Sequence, residues 1–128
     1  MLFRSVARCI AHGAVRAAHD PSEGGLLAAL AEMCFAGGLG AAIDLSHVPA
    51  GADVSDECRA FAEDPHRYVL EVEPASLGTV QAHLDGVSHA VIGHVTAEPA
   101  LTVVGVRSPR ESIGIHELRS AWSTPAGA

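Results

Sequence analysis

Apolar residues recur at helical spacing from the first positions of the chain. Phe3, Val6, Ala7, Ile10, Ala14 and Ala17 fall on one stripe, with Arg4, Arg8, His12 and Arg16 facing away from it. This spacing predicts an amphipathic helix over residues 2–17 that buries its apolar stripe. The stretch from His19 to Gly25, with Asp, Pro, Ser and two Gly, breaks the periodicity before Leu26, Leu27, Leu30, Met33 and Cys34 resume it. The flanks of this second helix are largely Ala, so it is expected to be buried on most sides. Gly37 and Gly38 supply the left-handed backbone that ends a helix, and Ala41 to Leu45 follows as a short apolar run of strand length.

Further along, positions 47 to 58 are rich in Pro, Gly and Asp and predict a loop. Residues 67–73 alternate in the manner of a strand, with Tyr68, Leu70 and Val72 facing one way, and Pro74 closes the run because it has no N–H for a ladder. Residues 75–84 look helical. The β-branched runs 90–95 and 101–106, separated by a stretch containing Pro99, predict two neighbouring strands joined by a turn. A final helix, 111–122, carries Trp122. The predicted fold is α/β (α+β), with helices packed on a largely antiparallel or mixed sheet.

At 128 residues the chain has the size of one domain with one core. Aromatic residues make up only 4% against 48% hydrophobic, so the interior must be built from closely packed Ala, Leu, Val and Ile. No uncharged apolar run approaches the ~20 residues of a membrane span, because Glu32 interrupts the best candidate between Gly24 and Ile43. The formal charge of -7 argues against a nucleic-acid partner. All eight basic residues are Arg, which excludes Schiff-base chemistry and a phosphate-loop lysine. Cys9, Cys34 and Cys58 are odd in number and widely spaced, the pattern of reduced thiols in the cytoplasm. Arg4, Arg8 and Arg16, with no acidic residue before Asp20, resemble an organellar transit peptide, but the same segment reads well as a structural helix.

The stretch His19-Asp20-Pro21-Ser22-Glu23-Gly24-Gly25-Leu26 places a carboxylate, a hydroxyl and two glycine amides at the start of an apolar helix. Unpaired N–H groups and the helix dipole favour an anion such as phosphate there. Gly24 and Gly25 would let a ligand approach the backbone, and Asp20 is placed to hold a Mg²⁺ that bridges phosphate oxygens. The same residues also make an ordinary helix start, with Ser22 or Asp20 as N-cap and Glu23 complementing the dipole. The charged segment Phe61 to Arg67 precedes a strand and suits a sheet edge, an interface or a solvated loop. Cys9 and His12 form the single cysteine–histidine pair at helical neighbour distance, too little for a zinc site. No G-x-S-x-G elbow marks a hydrolase.

The segments 19–26, Ala29-Leu30-Ala31-Glu32-Met33 and Ala36-Gly37-Gly38-Leu39-Gly40 together resemble phosphoribosylformylglycinamidine synthase. The similarity continues through Phe61, Glu63 and Arg67 ahead of Val69 to Val72, through Ile92-Gly93-His94-Val95, and through Glu117 to Trp122. The resemblance implies a three-layer α/β/α domain with a mixed four-stranded sheet and partial ferredoxin-like topology. It implies that ATP phosphorylates the amide of formylglycinamide ribonucleotide and that ammonia from a glutaminase subunit then displaces phosphate. Asp20 resembles the family's magnesium-binding carboxylate, and Ser22, Gly24 and Gly25 its phosphate-facing helix start; Glu63 and Arg67 match a motif without an assigned role. Pro21, Ala60, Ala62 and Asp64 depart from the family pattern. The family's amino-terminal ATP-binding domain is not in this sequence, so residues 1–128 are expected to act as one carboxy-terminal domain, inactive alone, with that domain as partner and a homodimer left open. A free-standing, non-catalytic phosphate-binding or assembly module is the alternative, as is a selenophosphate-synthetase or hydrogenase-maturation type of ATP-dependent enzyme.

Overall fold

The computed structural model describes residues 2–51, 53–63, 66–105 and 107–124. Its elements are α1 (Leu2–Ala11), β1 (Ala17–His19), α2 (Gly25–Gly37), β2 (Gly40–Asp44), α3 (Asp56–Phe61), β3 (Val69–Glu71), α4 (Leu77–His83), β4 (Gly93–Thr96), β5 (Ala100–Val104), β6 (Glu111–Gly114) and α5 (Ile115–Ser123). Short 3-10 turns at Leu45–His47 and Pro74–Ser76 lead into α3's loop and α4.

The first helix is shorter than its apolar pattern predicts. Gly13 takes a left-handed φ of 69°, and the chain leaves it extended as β1, which pairs antiparallel with β3 from Ala17 opposite Glu71 to His19 opposite Val69. A strand partner thus wins over continued helical periodicity. The buried stripe of α1 is also rotated from the expected one. Ser5, Val6 and Cys9 are buried, whereas Phe3 is 72% exposed and Ile10 51% exposed. Cys9 and Ala14 pack with Val80 and Leu84 of α4 and its end, against Leu70 and Val72.

Helix α2 is apolar on nearly every side because it is covered on both. Leu26, Leu30 and Cys34 join Ala41, Ile43, Leu101 and Ile115 in the main core, while Val69 of the β1–β3 ribbon packs on the same cluster. Helices α1 and α4, the ribbon and α2 therefore stack as α/β/α, with the larger sheet beyond α2. Glu32, the one charged residue of α2, points at β1.

The larger sheet has four strands in the order β4-β2-β5-β6. Its centre, β2 beside β5, is parallel, and both edges are antiparallel, the mixed arrangement with ferredoxin-like features. The runs at 90–95 and 101–106 form β4 and β5, but β2 lies between them, so they are not paired neighbours. Gly40 allows this: a Cβ there would collide with the carbonyl oxygens of Glu98 and Ala100 in the connection that β2 enters. Val106 lies outside the described residues. The segment predicted as one helix over 111–122 is split, since Ser112 and Ile113 pair with Thr102 and Leu101 before α5 begins. The predicted loop at 47–58 contains the start of α3, whose N-cap Ser55 accepts a hydrogen bond from the Cys58 N–H at 3.1 Å.

Among the described residues no helix is long and apolar enough to cross a membrane. Cys9 and Cys34 are buried free thiols and Cys58 is an exposed one; burial pushes the first two above the ordinary thiol range.

Candidate functional site

Strand β1 delivers His19 to the start of the turn that leads into α2. Asp20 follows with its side chain 75% exposed, Pro21 is buried, and Ser22 and Gly24 are exposed. The Gly25 N–H donates to the Ser22 carbonyl at 3.3 Å. Gly24 and Gly25 have φ of 83° and 73°, a region costly for any residue with a Cβ. Gly24 is the N-cap, so neither Ser22 nor Asp20 caps the helix with its side chain. Gly25 has a second reason to be glycine: a Cβ would lie 2.5–2.7 Å from the backbone of Phe61, at the end of α3.

The tip of α2 already carries an anion from its own chain. Gly24 N–H donates to Glu63 Oε1 at 2.9 Å, which places a carboxylate where the helix dipole favours one. This contact gives Glu63 a place in the site that its sequence context did not reveal. Arg67 is half-buried just before β3; Asp64 lies outside the described residues.

His19 ties β1 to α2. Its Nε2 is 2.7 Å from Glu32 Oε2, and its Nδ1 is 3.0 Å from the Asp20 carbonyl and 3.8 Å from Asp20 Oδ1. Both hydrogen-bond partners are acceptors, so both contacts are satisfied only when each ring nitrogen bears a proton. The Glu32 carboxylate accordingly holds the imidazole above its ordinary pKa, against the opposing effect of burial.

No group of three or more His, Cys, Asp or Glu among the described residues is arranged to hold a metal. The Cys9 thiol instead points at the Val80 carbonyl at 4.0 Å, and the His12 ring packs on His83 with centroids 4.5 Å apart. Asp20 is a single carboxylate. It fits a Mg²⁺ whose other ligands are phosphate oxygens and water, and not an ion bound by protein alone.

A second polar cluster went unseen in the sequence. Arg59 is only 6% exposed, and its guanidinium donates to the carbonyls of Val54, Leu45, Val48 and Gly51 at 3.0–3.4 Å. Asp56 Oδ2 accepts from the N–H groups of Arg107 and Ser108 and from the Ser108 hydroxyl at 2.9–3.0 Å. The signal available was the Ser55-Asp56-Glu57 helix start, which the surrounding turn-forming residues masked.

The chain as a whole matches known proteins. The profile of the family described as AIR synthase related protein, C-terminal domain, matches residues 2–106. The chain belongs to that family. Within this AIR synthase related family its similarity runs to phosphoribosylformylglycinamidine synthase subunit PurL. The Deinococcus radiodurans PurL is 34% identical over 114 residues, 88% of this chain and 15% of that protein. The Rhodopseudomonas palustris PurL is 44% identical over 98 residues, 75% of this chain and 13% of that protein. The chain therefore spans about one-seventh of the length of these relatives. Thermotoga maritima PurL complexed with ATP superposes with a TM-score of 0.82 at 22% identity, covering 91% of this chain and 21% of that one. The same protein complexed with FGAR gives 0.77 at 25% identity, covering 91% and 20%. The α/β fold with its mixed four-stranded sheet is thus that of the C-terminal domain of PurL.

Proposed function

We propose that this chain is the carboxy-terminal domain of a PurL-type synthase of purine biosynthesis, working in the cytoplasm with an ATP-binding amino-terminal domain and a glutaminase subunit. ATP would transfer its terminal phosphoryl group to the amide oxygen of formylglycinamide ribonucleotide with release of ADP, and ammonia would displace that phosphate to give the amidine. Residues of this domain supply one wall of the nucleotide site and are inactive without the partner domain. Asp20 would hold a Mg²⁺ that neutralises phosphate charge, Ser22 would offer a hydroxyl, and Gly24 and Gly25 keep the helix tip free of side chains. A phosphate that reaches the Gly24 amide takes the place of the Glu63 carboxylate.

The observation that carries this reading is the exposed Asp20-Ser22-Gly24 edge at the tip of a buried helix, in a chain whose relatives are PurL subunits. The test is a chimera in which this chain replaces the 114 matched residues of the Deinococcus radiodurans PurL. Synthase activity with ATP, formylglycinamide ribonucleotide and ammonia is expected, and Asp20→Ala should lower it at least ~10-fold, the scale of losing one positioned electrostatic group. A wild-type chimera without activity, or a mutant as active as wild type, defeats the assignment.

One contact favours a second reading, a non-catalytic assembly module: Glu63 already satisfies the Gly24 amide. That reading requires an inactive chimera and no response to nucleotide.

A further inference from the structure

The ends of α1 and α4 bring two imidazoles together. The His12 and His83 rings lie with centres 4.5 Å apart and planes at 45°, the one imidazole–imidazole contact among the described residues. Each ring stands three residues beyond a member of a buried contact between the two helices, in which the Cys9 thiol points at the Val80 carbonyl. Ala14 and Leu84 belong to the same buried cluster, so the backbone beneath the rings is held by packing. The ring nitrogens are left over by that packing. His12 Nδ1 is 2.9 Å from the Arg8 carbonyl, which only accepts, so this nitrogen carries the proton and Nε2 of the neutral ring keeps its lone pair. His83 is half-buried, and neither of its nitrogens has a hydrogen-bond or ion-pair partner among the described residues. By contrast His19 is bonded on both nitrogens, and His47 and His89 lean on Asp44 and on the Val87 carbonyl.

We propose that His12 and His83 form a two-imidazole site for a borderline divalent transition-metal ion, Zn²⁺, Ni²⁺ or Cu²⁺, with water in its remaining positions. Neutral imidazole is the commonest side-chain ligand of these ions. Bonds of about 2.0–2.1 Å to each nitrogen keep the two nitrogens within about 4 Å of one another, which rings with centres 4.5 Å apart allow. Among the described residues no carboxylate is within ion-pair range of either ring, so nothing competes with an ion for their lone pairs. The ligands come from two helices, and an ion held by both joins the ends of α1 and α4 over the Cys9–Val80 contact. Mg²⁺ demands oxygen ligands and is not taken there, which separates this pair from Asp20 at the candidate site.

Calorimetric titration of the untagged 128-residue chain with NiCl₂ tests this, and one ion per chain is expected. His12→Ala and His83→Ala should each weaken binding at least ~10-fold, the scale of losing one of two linked ligands. The double variant should be no more than about twofold weaker than either, because the first substitution already abolishes the chelate. His116→Ala, at an exposed position of α5, should bind as wild type does. An excess of MgCl₂ should leave the titration unchanged. In wild type, paramagnetic Ni²⁺ should broaden the ring signals of His12 and His83 before those of any other histidine, a readout that holds even where a variant fails to fold. Absence of saturable binding overturns the proposal, as does binding that survives either alanine substitution or earlier broadening of another histidine. Loss of binding in Cys58→Ser places the ion on the exposed thiol and also defeats it. Loss in Asp20→Ala, or competition by Mg²⁺, assigns the ion to the turn before α2 and defeats it equally.

Discussion

The tip of α2 and the start of α3 are both helix N-termini rich in polar groups, but they are built oppositely. At α3 the polar groups are buried and saturated: Arg59 spends its guanidinium on four backbone carbonyls, and Asp56 collects three donors on one oxygen. At α2 Asp20 and Ser22 face solvent, and among the described residues the Gly24 amide is met by the exposed Glu63. Saturation of buried polar groups holds loops in place, since each lost partner leaves an atom that water cannot reach. Exposed polar groups on a rigid scaffold contribute little to stability and remain available to a ligand. The contrast separates a structural clamp from a candidate site without reference to any relative.

Breaking the clamp should give the largest effect. Arg59→Ala removes the shared donor from the carbonyls of Leu45, Val48, Gly51 and Val54, strands those of the buried Leu45 and Val48, and leaves a cavity. A loss of about 3 kcal/mol is expected from urea unfolding, the scale of a disrupted buried network. Asp20→Ala should by contrast cost under about 0.5 kcal/mol, as substitutions at exposed polar positions generally do. Comparable losses from the two would erase the distinction between clamp and site.

The next largest effect lies where the two regions touch. Gly25→Ala requires a left-handed φ of 73° and places a methyl group against the Phe61 backbone. Roughly 2 kcal/mol of destabilisation is expected, from backbone strain of about 1 kcal/mol plus displacement of α3. Gly24→Ala meets the Cβ of Ala28 rather than another element, so its cost should be smaller. If thermal melts rank the two in the opposite order, Gly25 is not held by α3.

The apolar, doubly covered helix α2 was legible because Leu26, Leu30 and Cys34 repeat at helical spacing and Glu32 is its one interruption. The motif at 19–25 was legible because consecutive glycines beside Asp and Ser are uncommon outside turns that need them. What escaped depends on partners distant in sequence. The three residues of β1 are a strand only because β3 lies alongside, 52 residues later at the Ala18–Leu70 pair. β6 is a strand because β5 offers it an edge, although its residues continue smoothly into a helical pattern. Arg59 reads as a solvated charge until the loop 45–54 folds over it, and Glu63 gains its role by closing on an amide 39 residues away. The apolar stripe of α1 is only half buried: Val6 and Ala14 are covered, but Phe3 and Ile10 stay exposed because Gly13 turns the chain early and the helix is set on α4 through Cys9.

A smaller effect than at Gly25 is expected at His19, which joins the two kinds of construction, being half-buried and bonded on both ring nitrogens yet next to the exposed Asp20. Its folded pKa is raised, first by Glu32, so protonation favours the native state. Below the unfolded value of about 6.5 the imidazole is charged in both states and the Glu32 contact contributes in full. As pH rises through the higher folded pKa, the native state must release that proton and the contribution is lost. The facing charged groups are Glu32 from α2 and Asp20 from the turn, while α1 presents only apolar side chains to the groove that His19 and Asp20 also line. With His19 26% and Glu32 36% exposed, solvent screening keeps the contribution below about 1 kcal/mol. Glu32→Gln should therefore be less stable than wild type near pH 6, and the gap should close by about pH 9, where the imidazole is neutral in both proteins. A gap that stays constant across this range would mean that Glu32 acts through packing in α2 and that His19 is not held as a cation, leaving Asp20 without a cationic neighbour in the turn.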